Sequence, residues 1–365
     1  MTVQLGIIGC GDVAFRTYIP ALQQLTETGP VTACFDPVVE RAERAAAKFP
    51  GATAYDTYEA FLAHPGLTGV INLTPPPFHY DTNIAAFDAG LHVFSEKPLS
   101  TSVAQAQALI AYAKKKQRLL LCAPAVMTTP RMQWIKSFTQ AGRLGRLTLA
   151  TGQQANMGPA AWRVYTGDPA VFYKPGVGPM VDLGVYALHA ITGILGPVKR
   201  IQAMGGVSIP ERNVLIDRLA GEKIAVSTPD HILLHLDFGN AAFGQVLASF
   251  ATPRSKTPAL EVHGENGSLS ISMETWYNGD GPIDLFLRDD SPVGLDGWMN
   301  GVTPPSSAGM TSSLIGSGPA HFIEVIAGRA QPILTAEHAT HTLEIMLRSG
   351  EAIETGRTID LETTF

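Results

Sequence analysis

Cysteine is scarce in this sequence, and long hydrophobic runs are missing. The three cysteines, an odd number in 365 residues, are Cys10, Cys34 and Cys122. Each lies in or beside an apolar segment that predicts a strand, so we interpret them as small buried side chains in a reducing compartment, not as disulfides or metal ligands. No apolar run approaches the roughly 18 residues of a membrane-spanning helix, and the N-terminus shows no signal-peptide pattern. The sequence therefore predicts a soluble, cytoplasmic protein.

Charge is also sparse. Only 16% of the residues are charged, and the formal net charge is −6. Such a balance gives no general attraction to nucleic acid or to an anionic membrane, so we expect a small-molecule partner and neither of those. Hydrophobic residues make up 45% of the chain, which is ample for a core, and the length predicts two domains.

The pattern of elements changes near Pro124. Before it, short apolar strands alternate with helical segments, which is typical of an α/β domain with a doubly wound parallel sheet of the Rossmann type. After it, strands follow one another with few helices, and Asn266-Gly267 carries a hairpin signal. We expect residues 1–124 to bind a nucleotide and residues 125–365 to form an α+β domain on a mostly antiparallel open sheet, whose final helix can return toward the first domain.

Two segments of the second half have their own signatures. Pro179 stands at the start of a helical pattern over Met180–Leu195, and Gly196-Pro197 end it. The stretch Leu295–Ser317 is rich in Pro, Gly and Ser and predicts a long loop.

A dinucleotide-binding signature follows the first predicted strand. Gly9-Cys10-Gly11-Asp12-Val13-Ala14 fits G-x-G-x-x-A and opens a helix. The glycines permit a tight turn and a close approach of the backbone, and the pyrophosphate then lies at the helix N-terminus. We therefore predict cofactor contacts at Gly9, Gly11, Asp12 and Val13.

An acidic residue ends the second predicted strand. Asp36 lies 25 residues after Gly11, near where a carboxylate accepts from both hydroxyls of the adenosine ribose. A carboxylate there repels a 2′-phosphate, so NAD is favoured over NADP as the cofactor. The alternative is that Asp36 only forms an Asx turn before Pro37.

The strand that ends at Asn72-Leu73 is followed by three prolines. The chain must leave the sheet there, at the carboxyl edge where ligands of such folds bind. We expect Thr74, Pro75 and His79 to contact the cofactor, through a ribose or phosphate group in the case of His79. The alternative for His79 is to cap the next helix.

The segment Leu91–Ser100 places Lys97 between Glu96 and Pro98 at the end of a predicted strand. A cationic side chain at this edge can meet both a nicotinamide ring and a substrate hydroxyl, which is the setting for hydride transfer.

The motifs at Gly9–Ala14, Thr74–His79 and Glu96–Pro98, in this order, resemble the Gfo/Idh/MocA family, which is named for glucose–fructose oxidoreductase, inositol dehydrogenase and a rhizopine protein. The resemblance spans nearly the whole chain. It implies a two-domain NAD(P)-dependent oxidoreductase, acting mostly on sugars, cyclitols and related polyols. It also implies an open sheet in the second domain that commonly forms homodimers or homotetramers.

The resemblance also implies roles for single residues. Lys97 corresponds to the family's active-site lysine, and Glu96 to a residue near the nicotinamide ribose. A second signature, a glycine cluster followed by an aspartate and then a histidine or tyrosine, is matched by Gly176–Tyr186 with Asp182 as the aspartate. Val177 replaces a usual glycine. Tyr186 stands where relatives like inositol dehydrogenase have histidine, and so resembles the glucose–fructose oxidoreductase branch.

The catalytic hypothesis combines these residues. A helix advances about 100° per residue, so Asp182, Tyr186 and His189 share one face. We expect Lys97 to stabilise the developing alkoxide, Tyr186 to accept the proton directly or in a relay with His189, and Asp182 to orient a hydroxyl group or Lys97. A nearby ammonium favours the phenolate form of tyrosine. The alternatives are that Asp182 complements the helix dipole, that Tyr186 packs and that His189 is a core residue.

Weaker candidates complete the site. Trp162 and Arg163 suit sugar recognition by stacking and hydrogen bonding, and Tyr165 and Tyr173 are further possibilities. We expect no metal, because the spaced histidine pairs in the sequence have no third ligand nearby. Two other functions stay open: a non-catalytic NAD-binding sensor that regulates transcription, and an NAD-dependent glycosidase of the same fold.

Overall fold

The computed structural model describes residues 3–288, 297–305 and 313–365. The chain forms two compact units. The first comprises Met1–Thr129 and Ala308–Leu343, and the second comprises Pro130–Ser307 and Glu344–Phe365. None of the helices within the described ranges has the length and hydrophobicity that a membrane span requires.

Strands and helices alternate through the first part of the chain. The elements in order are β1 (Leu5–Ile8), a π-helical turn (Ala14–Tyr18) continued by α1 (Ile19–Leu22), β2 (Val31–Phe35), α2 (Val39–Ala46), β3 (Thr53–Tyr55), α3 (Tyr58–Leu62), β4 (Gly69–Asn72), α4 (His79–Asp88), β5 (His92–Ser95), α5 (Val103–Lys116) and β6 (Leu120–Cys122). The sequence does not predict β3, because its three residues are short of a strand pattern and partly exposed.

Six strands of the described part of the first unit form one sheet in the order β3-β2-β1-β4-β5-β6, and all neighbours are parallel. This confirms the doubly wound parallel sheet. Strands β1 and β4 are buried along their whole length, as expected for central strands covered on both faces. The motifs of the sequence analysis follow the carboxyl ends of β1, β2, β4 and β5, which lie at one edge of the sheet.

The remaining elements are mostly strands. In order they are α6 (Pro130–Gln140), β7 (Leu147–Ala155), a second π-helical turn (Met180–Gly184) continued by α7 (Val185–Leu195), β8 (Arg200–Gly206), β9 (Glu211–Asn213), β10 (Lys223–Ala225), β11 (His231–Gly239), β12 (Ala242–Ser249), β13 (Leu260–Gly264), β14 (Gly267–Ile271), β15 (Ile283–Leu287), β16 (Trp298–Val302), α8 (Ser317–Ile326), α9 (Ala336–Thr355) and β17 (Ile359–Asp360).

The second unit is built on an open sheet. Within the described residues its nine strands run in the order β16-β15-β14-β13-β7-β12-β11-β8-β17. Every neighbouring pair is antiparallel except β12 with β7, which confirms a mostly antiparallel sheet. The hairpin at Asn266-Gly267 is confirmed as the turn between β13 and β14.

Three local predictions differ from the structure. Helix α6 is not predicted, and Met180–Leu195 is not one regular helix, because its first turn is π-helical. The predicted loop Leu295–Ser317 contains β16 and the first residue of α8, while its residues 295–296 and 306–312 lie outside the described part. Strand β16 stands at one end of the second sheet, beside β15. The Pro/Gly/Ser-rich composition of the segment gave no strand signal.

Helix α7 packs closely on β7. A Cβ atom at Gly152 would come within 2.8 Å of the Cβ atom of Ala187 and 3.1 Å of Ile191. The glycine therefore permits this approach, and it fixes the helix that carries Tyr186 and His189 against the sheet.

Candidate functional site

The glycine loop after β1 has the geometry of a dinucleotide cradle. Gly9 has φ 86°, and a Cβ atom there would lie 2.8 Å from the backbone of Leu73 and Thr74. Only glycine permits this conformation and this approach. Beside Gly11 a Cβ atom would meet nothing within 4 Å, so open space adjoins the loop at the start of the helix. The residues present therefore fit a bound pyrophosphate.

Asp36 anchors this loop. The residue is only 4% exposed. Its Oδ2 accepts the backbone N–H of Cys10 at 2.8 Å, and its Oδ1 accepts that of Val38 at 2.9 Å. The second bond is the Asx turn that the sequence analysis gave as the alternative. Each oxygen keeps a further lone pair, so the proposed ribose contact is compatible with both bonds and stays a prediction.

The charged side chains around the loop pair with one another. Arg16 Nε donates to Asp12 Oδ2 at 2.9 Å, and Arg41 Nη1 lies 4.0 Å from Asp36 Oδ1. Val13 is partly buried and directly precedes the first π-helical turn. The structure thus gives the Asp12 carboxylate a partner on the same helix, and the proposed cofactor contacts of Asp12 and Val13 stay predictions.

A buried polar network supports the edge of the sheet at Thr74. Asn72 Oδ1 accepts the backbone N–H of Thr74 at 3.1 Å and its hydroxyl at 2.7 Å. Asn72 Nδ2 donates to Asn83 Oδ1 at 2.8 Å, and Asn83 Nδ2 donates to Ser95 Oγ at 3.2 Å. This network was not predicted from the sequence, although an asparagine at the end of an apolar strand is a signal for it. Pro75, next to Thr74, is exposed.

His79 is fully buried between two backbone carbonyls. Its Nδ1 lies 2.7 Å from the oxygen of Pro98, and its Nε2 lies 2.7 Å from the oxygen of Thr74. Burial lowers the pKa of His79, while the two carbonyls and Glu96 oppose that shift. Neither nitrogen is available to a cofactor in this conformation. The capping alternative is wrong, because α4 begins at His79 and has no side-chain cap. His79 instead ties the Thr74 segment to the Pro98 segment.

The carboxylate of Glu96 is held from two sides. Its Oε1 accepts the hydroxyl of Tyr18 at 2.7 Å, and its Oε2 accepts the backbone N–H of Lys97 at 2.7 Å. Tyr18 comes from the π-helical turn that follows the glycine loop, so Glu96 connects that helix to the segment that carries Lys97. Lys97 is half-buried, and the Lys97–Pro98 peptide bond is cis. No sequence pattern could have found Tyr18, because it lies 78 residues from its partner.

The residues of the second signature lie in the second unit. Gly176 and Gly178 have positive φ angles, 87° and 69°. Asp182 lies in the π-helical turn and Tyr186 in the first turn of α7. Both are half-buried, whereas His189 is buried.

The prediction that Asp182, Tyr186 and His189 share one face of a regular α-helix needs correction. A π-helical turn closes i to i+5 and is wider than an α-helical one, so a step of 100° per residue does not hold from Asp182 to Gly184. The structure places Asp182 and Tyr186 at comparable depth and His189 in the core. π-helical turns are frequent at functional sites, and here one follows each of the two glycine motifs.

The weaker candidates have partners of their own. The Trp162 ring packs against Tyr165 and Phe172, with centroids 6.1 Å and 6.4 Å away. Arg163 is exposed, and its Nη1 lies 3.7 Å from Asp217 Oδ1. Tyr173 is fully buried, and its hydroxyl accepts the N–H of Ala160 at 3.1 Å, which leaves it no surface for a substrate.

Two features of the second unit escaped the sequence analysis. Tyr277 packs edge-on against Tyr186, with ring centroids 6.2 Å apart and planes at 75°. Gln154 lies within 3.5 Å of the Tyr277 hydroxyl. In the described ranges no group of three His, Cys, Asp or Glu side chains is arranged to hold a metal ion.

Comparison with known proteins extends these observations. Residues 3–123 match the family described as an oxidoreductase family with an NAD-binding Rossmann fold, and residues 132–270 match the GFO/IDH/MocA C-terminal domain. The chain is 26% identical to a dTDP-3,4-didehydro-2,6-dideoxy-alpha-D-glucose 3-reductase from Actinomadura kijaniata, over 98% of this chain and 95% of the relative.

Two further proteins bear on the cofactor. A D-xylose 1-dehydrogenase (NADP(+)) from Haloferax volcanii is 27% identical over 74% of this chain and 76% of its own. The structure of a levoglucosan dehydrogenase in complex with NADH and levoglucosan superposes with a TM-score of 0.82 at 20% identity, covering 100% of both chains. At that identity the superposition shows a shared fold.

Proposed function

The chain belongs to the Gfo/Idh/MocA family of oxidoreductases, and from this premise we propose that it transfers hydride between nicotinamide and a hydroxyl or carbonyl group of a sugar, cyclitol or related polyol. The observation that carries the proposal is the pre-built edge of the first unit: Gly9 and Gly11 form an open cradle, and Glu96 is fixed beside Lys97. When bound, the cofactor supplies a hydride acceptor or donor at the nicotinamide ring.

The residues then divide the remaining work. In this proposal the first unit binds the cofactor through Gly9, Gly11, Asp12, Val13, Asp36, Thr74, Pro75, Glu96 and Lys97, with His79 holding the Thr74 and Pro98 segments together. The second unit binds the substrate. Lys97 stabilises negative charge on the substrate oxygen, because an ammonium opposite a developing alkoxide is favourable.

The proton at the substrate oxygen needs an acceptor. We assign it to Tyr186, directly or through His189, and we assign the orientation of a substrate hydroxyl or of Lys97 to Asp182. The half-buried positions of Asp182 and Tyr186 support this, since neither residue is sealed in the core. His189, being buried in α7, suits a relay better than direct contact. Trp162 and Arg163 are retained as weaker substrate contacts.

NAD is proposed as the preferred cofactor. The support is the buried carboxylate of Asp36, whose negative charge disfavours a 2′-phosphate. Arg41 lies 4.0 Å from that carboxylate and partly offsets its charge, and one relative is named as an NADP(+) enzyme. The preference is therefore expected to be moderate.

We further propose that the open face of the nine-stranded sheet serves as the surface for a homodimer or homotetramer.

We also propose that the protein works in the cytoplasm. Its three cysteines are free and buried, as suits a reducing compartment.

The decisive experiment is an NADH-absorbance screen with purified protein. Monosaccharides, inositols and anhydrosugars are each tested with NAD and with NADP. We expect turnover on at least one polyol class, with a higher kcat/KM for NAD. Turnover with NADP alone would contradict the role of Asp36, and absence of any turnover would contradict the oxidoreductase proposal as stated.

The role of Lys97 is tested in the same assay. Lys97→Ala is expected to lower kcat by about 100-fold or more, because it removes the charge opposite the reacting oxygen, while NAD still binds. Lys116→Ala is the matched control, since that lysine pairs with Asp88 at the end of α5, and it should leave kcat unchanged. Near-normal turnover of Lys97→Ala would refute the assignment.

A further inference from the structure

Tyr277 occupies an unusual place in the second unit. It lies between β14 and β15, the residue is 50% exposed, and its ring forms a T-shaped pair with that of Tyr186. Tyr277 therefore combines contact with the proposed proton acceptor and partial exposure to solvent, so a bound ligand can reach part of this side chain.

Hydrogen bonds and a buried side chain constrain the turn that carries Tyr277. Arg131 is buried, and its Nη2 donates to the carbonyls of Thr275 and Trp276 at 3.0 Å and 2.8 Å. The backbone N–H of Arg131 donates to Gly279 at 2.9 Å. Trp276, the neighbouring residue in the turn, is fully buried and anchors the turn in the core. A group presented on so constrained a turn is pre-organised, and ligand binding need not spend entropy to order it.

Gln154 provides a second, independent observation. It lies at the end of β7 and is only 2% exposed. Its Oε1 lies 3.5 Å from the Tyr277 hydroxyl, which is a long bond, and its Nε2 has no hydrogen-bond acceptor among the residues that the structure describes. A buried donor without a partner is unfavourable, because it has given up its hydrogen bonds to water. A ligand hydroxyl beside Tyr277 would supply the missing acceptor.

We infer that Tyr277 and Gln154 form a hydroxyl-recognising subsite next to Tyr186. The ring of Tyr277 covers the C–H face of a sugar or cyclitol ring, and the phenol oxygen and the Gln154 amide bind one hydroxyl group of the same ligand. This inference rests on the proposed function, which identifies the ligand as a polyol, and it makes Tyr277 a determinant of which polyol is accepted.

Substitutions separate the ring from the hydroxyl. Tyr277→Ala is expected to raise the KM and the Kd for the polyol about tenfold or more and to leave the KM for NAD unchanged. Tyr277→Phe keeps the ring and is expected to raise the polyol KM less. Tyr112→Ala is the matched control, because Tyr112 is half-buried on α5 in the first unit and bonded to Asp88, and it should change neither constant. Thermal unfolding of each variant checks that the fold is retained.

A deoxy-sugar series tests the hydroxyl itself. A site that bonds a hydroxyl group rejects the analogue that lacks it. In the wild type, one deoxy position should lower kcat/KM about tenfold or more. In Gln154→Leu that penalty should disappear, whereas the penalties at the other positions persist. If Gln154 has only a packing role, Gln154→Leu should lower kcat/KM for all substrates alike.

The outcomes distinguish the two proposals. If the wild type turns over polyols and Tyr277→Ala matches its KM and Kd, the subsite is wrong and the proposed function stands. If calorimetry shows that the wild type binds polyols without turning them over, and Tyr277→Ala loses that binding, the subsite stands and the proposed function fails. If no polyol binds to the wild type, both are wrong.

Discussion

Gly9 and Gly11 of the glycine loop differ in how strongly the fold requires glycine. Gly9 is required by the fold, because its φ of 86° and its contact with the backbone of Leu73 and Thr74 exclude any side chain. Gly11 has no such neighbour within 4 Å, so the fold does not require it. What Gly11 leaves open is the space in which the proposed cofactor lies.

This difference predicts different effects for the same substitution. Gly9→Ala should lower the free energy of unfolding by about 2 kcal/mol or more, through backbone strain and a clash. Gly11→Ala should change it by less than about 0.5 kcal/mol, yet raise the KM for NAD about tenfold or more, because the methyl group fills cofactor space. Urea denaturation and NAD titration measure the two effects. Equal destabilisation by both variants, or unchanged NAD affinity in Gly11→Ala, would contradict this reading.

Among the helices, α8 depends on a neutral histidine. His321 is buried, and its Nε2 accepts the backbone N–H of Ile333 at 2.9 Å, which only an unprotonated nitrogen can do. Burial lowers the pKa of His321 to about 4, against the opposing charge of Glu324 one turn on. The bond fastens the segment after α8 to the helix.

The lowered pKa predicts a loss of stability in acid. The ordinary histidine pKa is about 6.5 in the unfolded chain, so below that pH the unfolded state binds the proton first and stability falls until pH reaches about 4. At pH 4 this difference in pKa lowers the free energy of unfolding by up to about 3 kcal/mol. Urea denaturation between pH 7.5 and 4.5 should therefore show a flatter pH dependence for His321→Gln, whose amide oxygen can keep the bond.

His79, buried with its pKa lowered as well, adds to the acid sensitivity of both proteins equally. Parallel curves for His321→Gln and the wild type would show that His321 does not contribute.

For the whole molecule, the open sheet leaves apolar side chains on one face. The register aligns Met204, Leu233 and Leu247 across β8, β11 and β12, and it sets Phe243 beside Leu149. Met204 is 73% exposed and Phe243 50%. A polar row of Gln202, His235 and Gln245 lies between the two apolar groups. Exposed apolar side chains on both sides of it favour an interaction surface, which supports the proposal that copies of this chain associate through the sheet.

The proposal predicts that charge on this face separates the copies. Phe243→Asp combined with Met204→Asp should shift the mass measured by light scattering from an oligomer to the 38.8 kDa of one chain, because two carboxylates cannot be buried unpaired. Val164→Asp is the control, since Val164 is highly exposed outside the sheet. A monomeric wild type, or an unchanged mass for the double variant, would disprove association through this face.

Much of the architecture could be predicted because its signals are local. The alternation of strands and helices, the glycine turn at Gly9 and the hairpin at Asn266-Gly267 each depend on residues close in sequence. Helix α6 was missed because its apolar pattern is weak, and β3 because three partly exposed residues do not show a period. The π-helical turns were missed because no residue pattern distinguishes them from α-helical ones.

The sequence by itself determined the glycine motif after β1 and the edge of the parallel sheet that Asp36 and Lys97 follow, and it is the source of the proposed roles of Lys97, Asp182 and Tyr186. Only the tertiary structure decided their partners. Asp36 holds Cys10, Glu96 holds Tyr18 and His79 holds Pro98, and Tyr277 meets Tyr186. The physical reason is that these partners lie 19 or more residues apart, so folding brings them together and no local periodicity records the pairing.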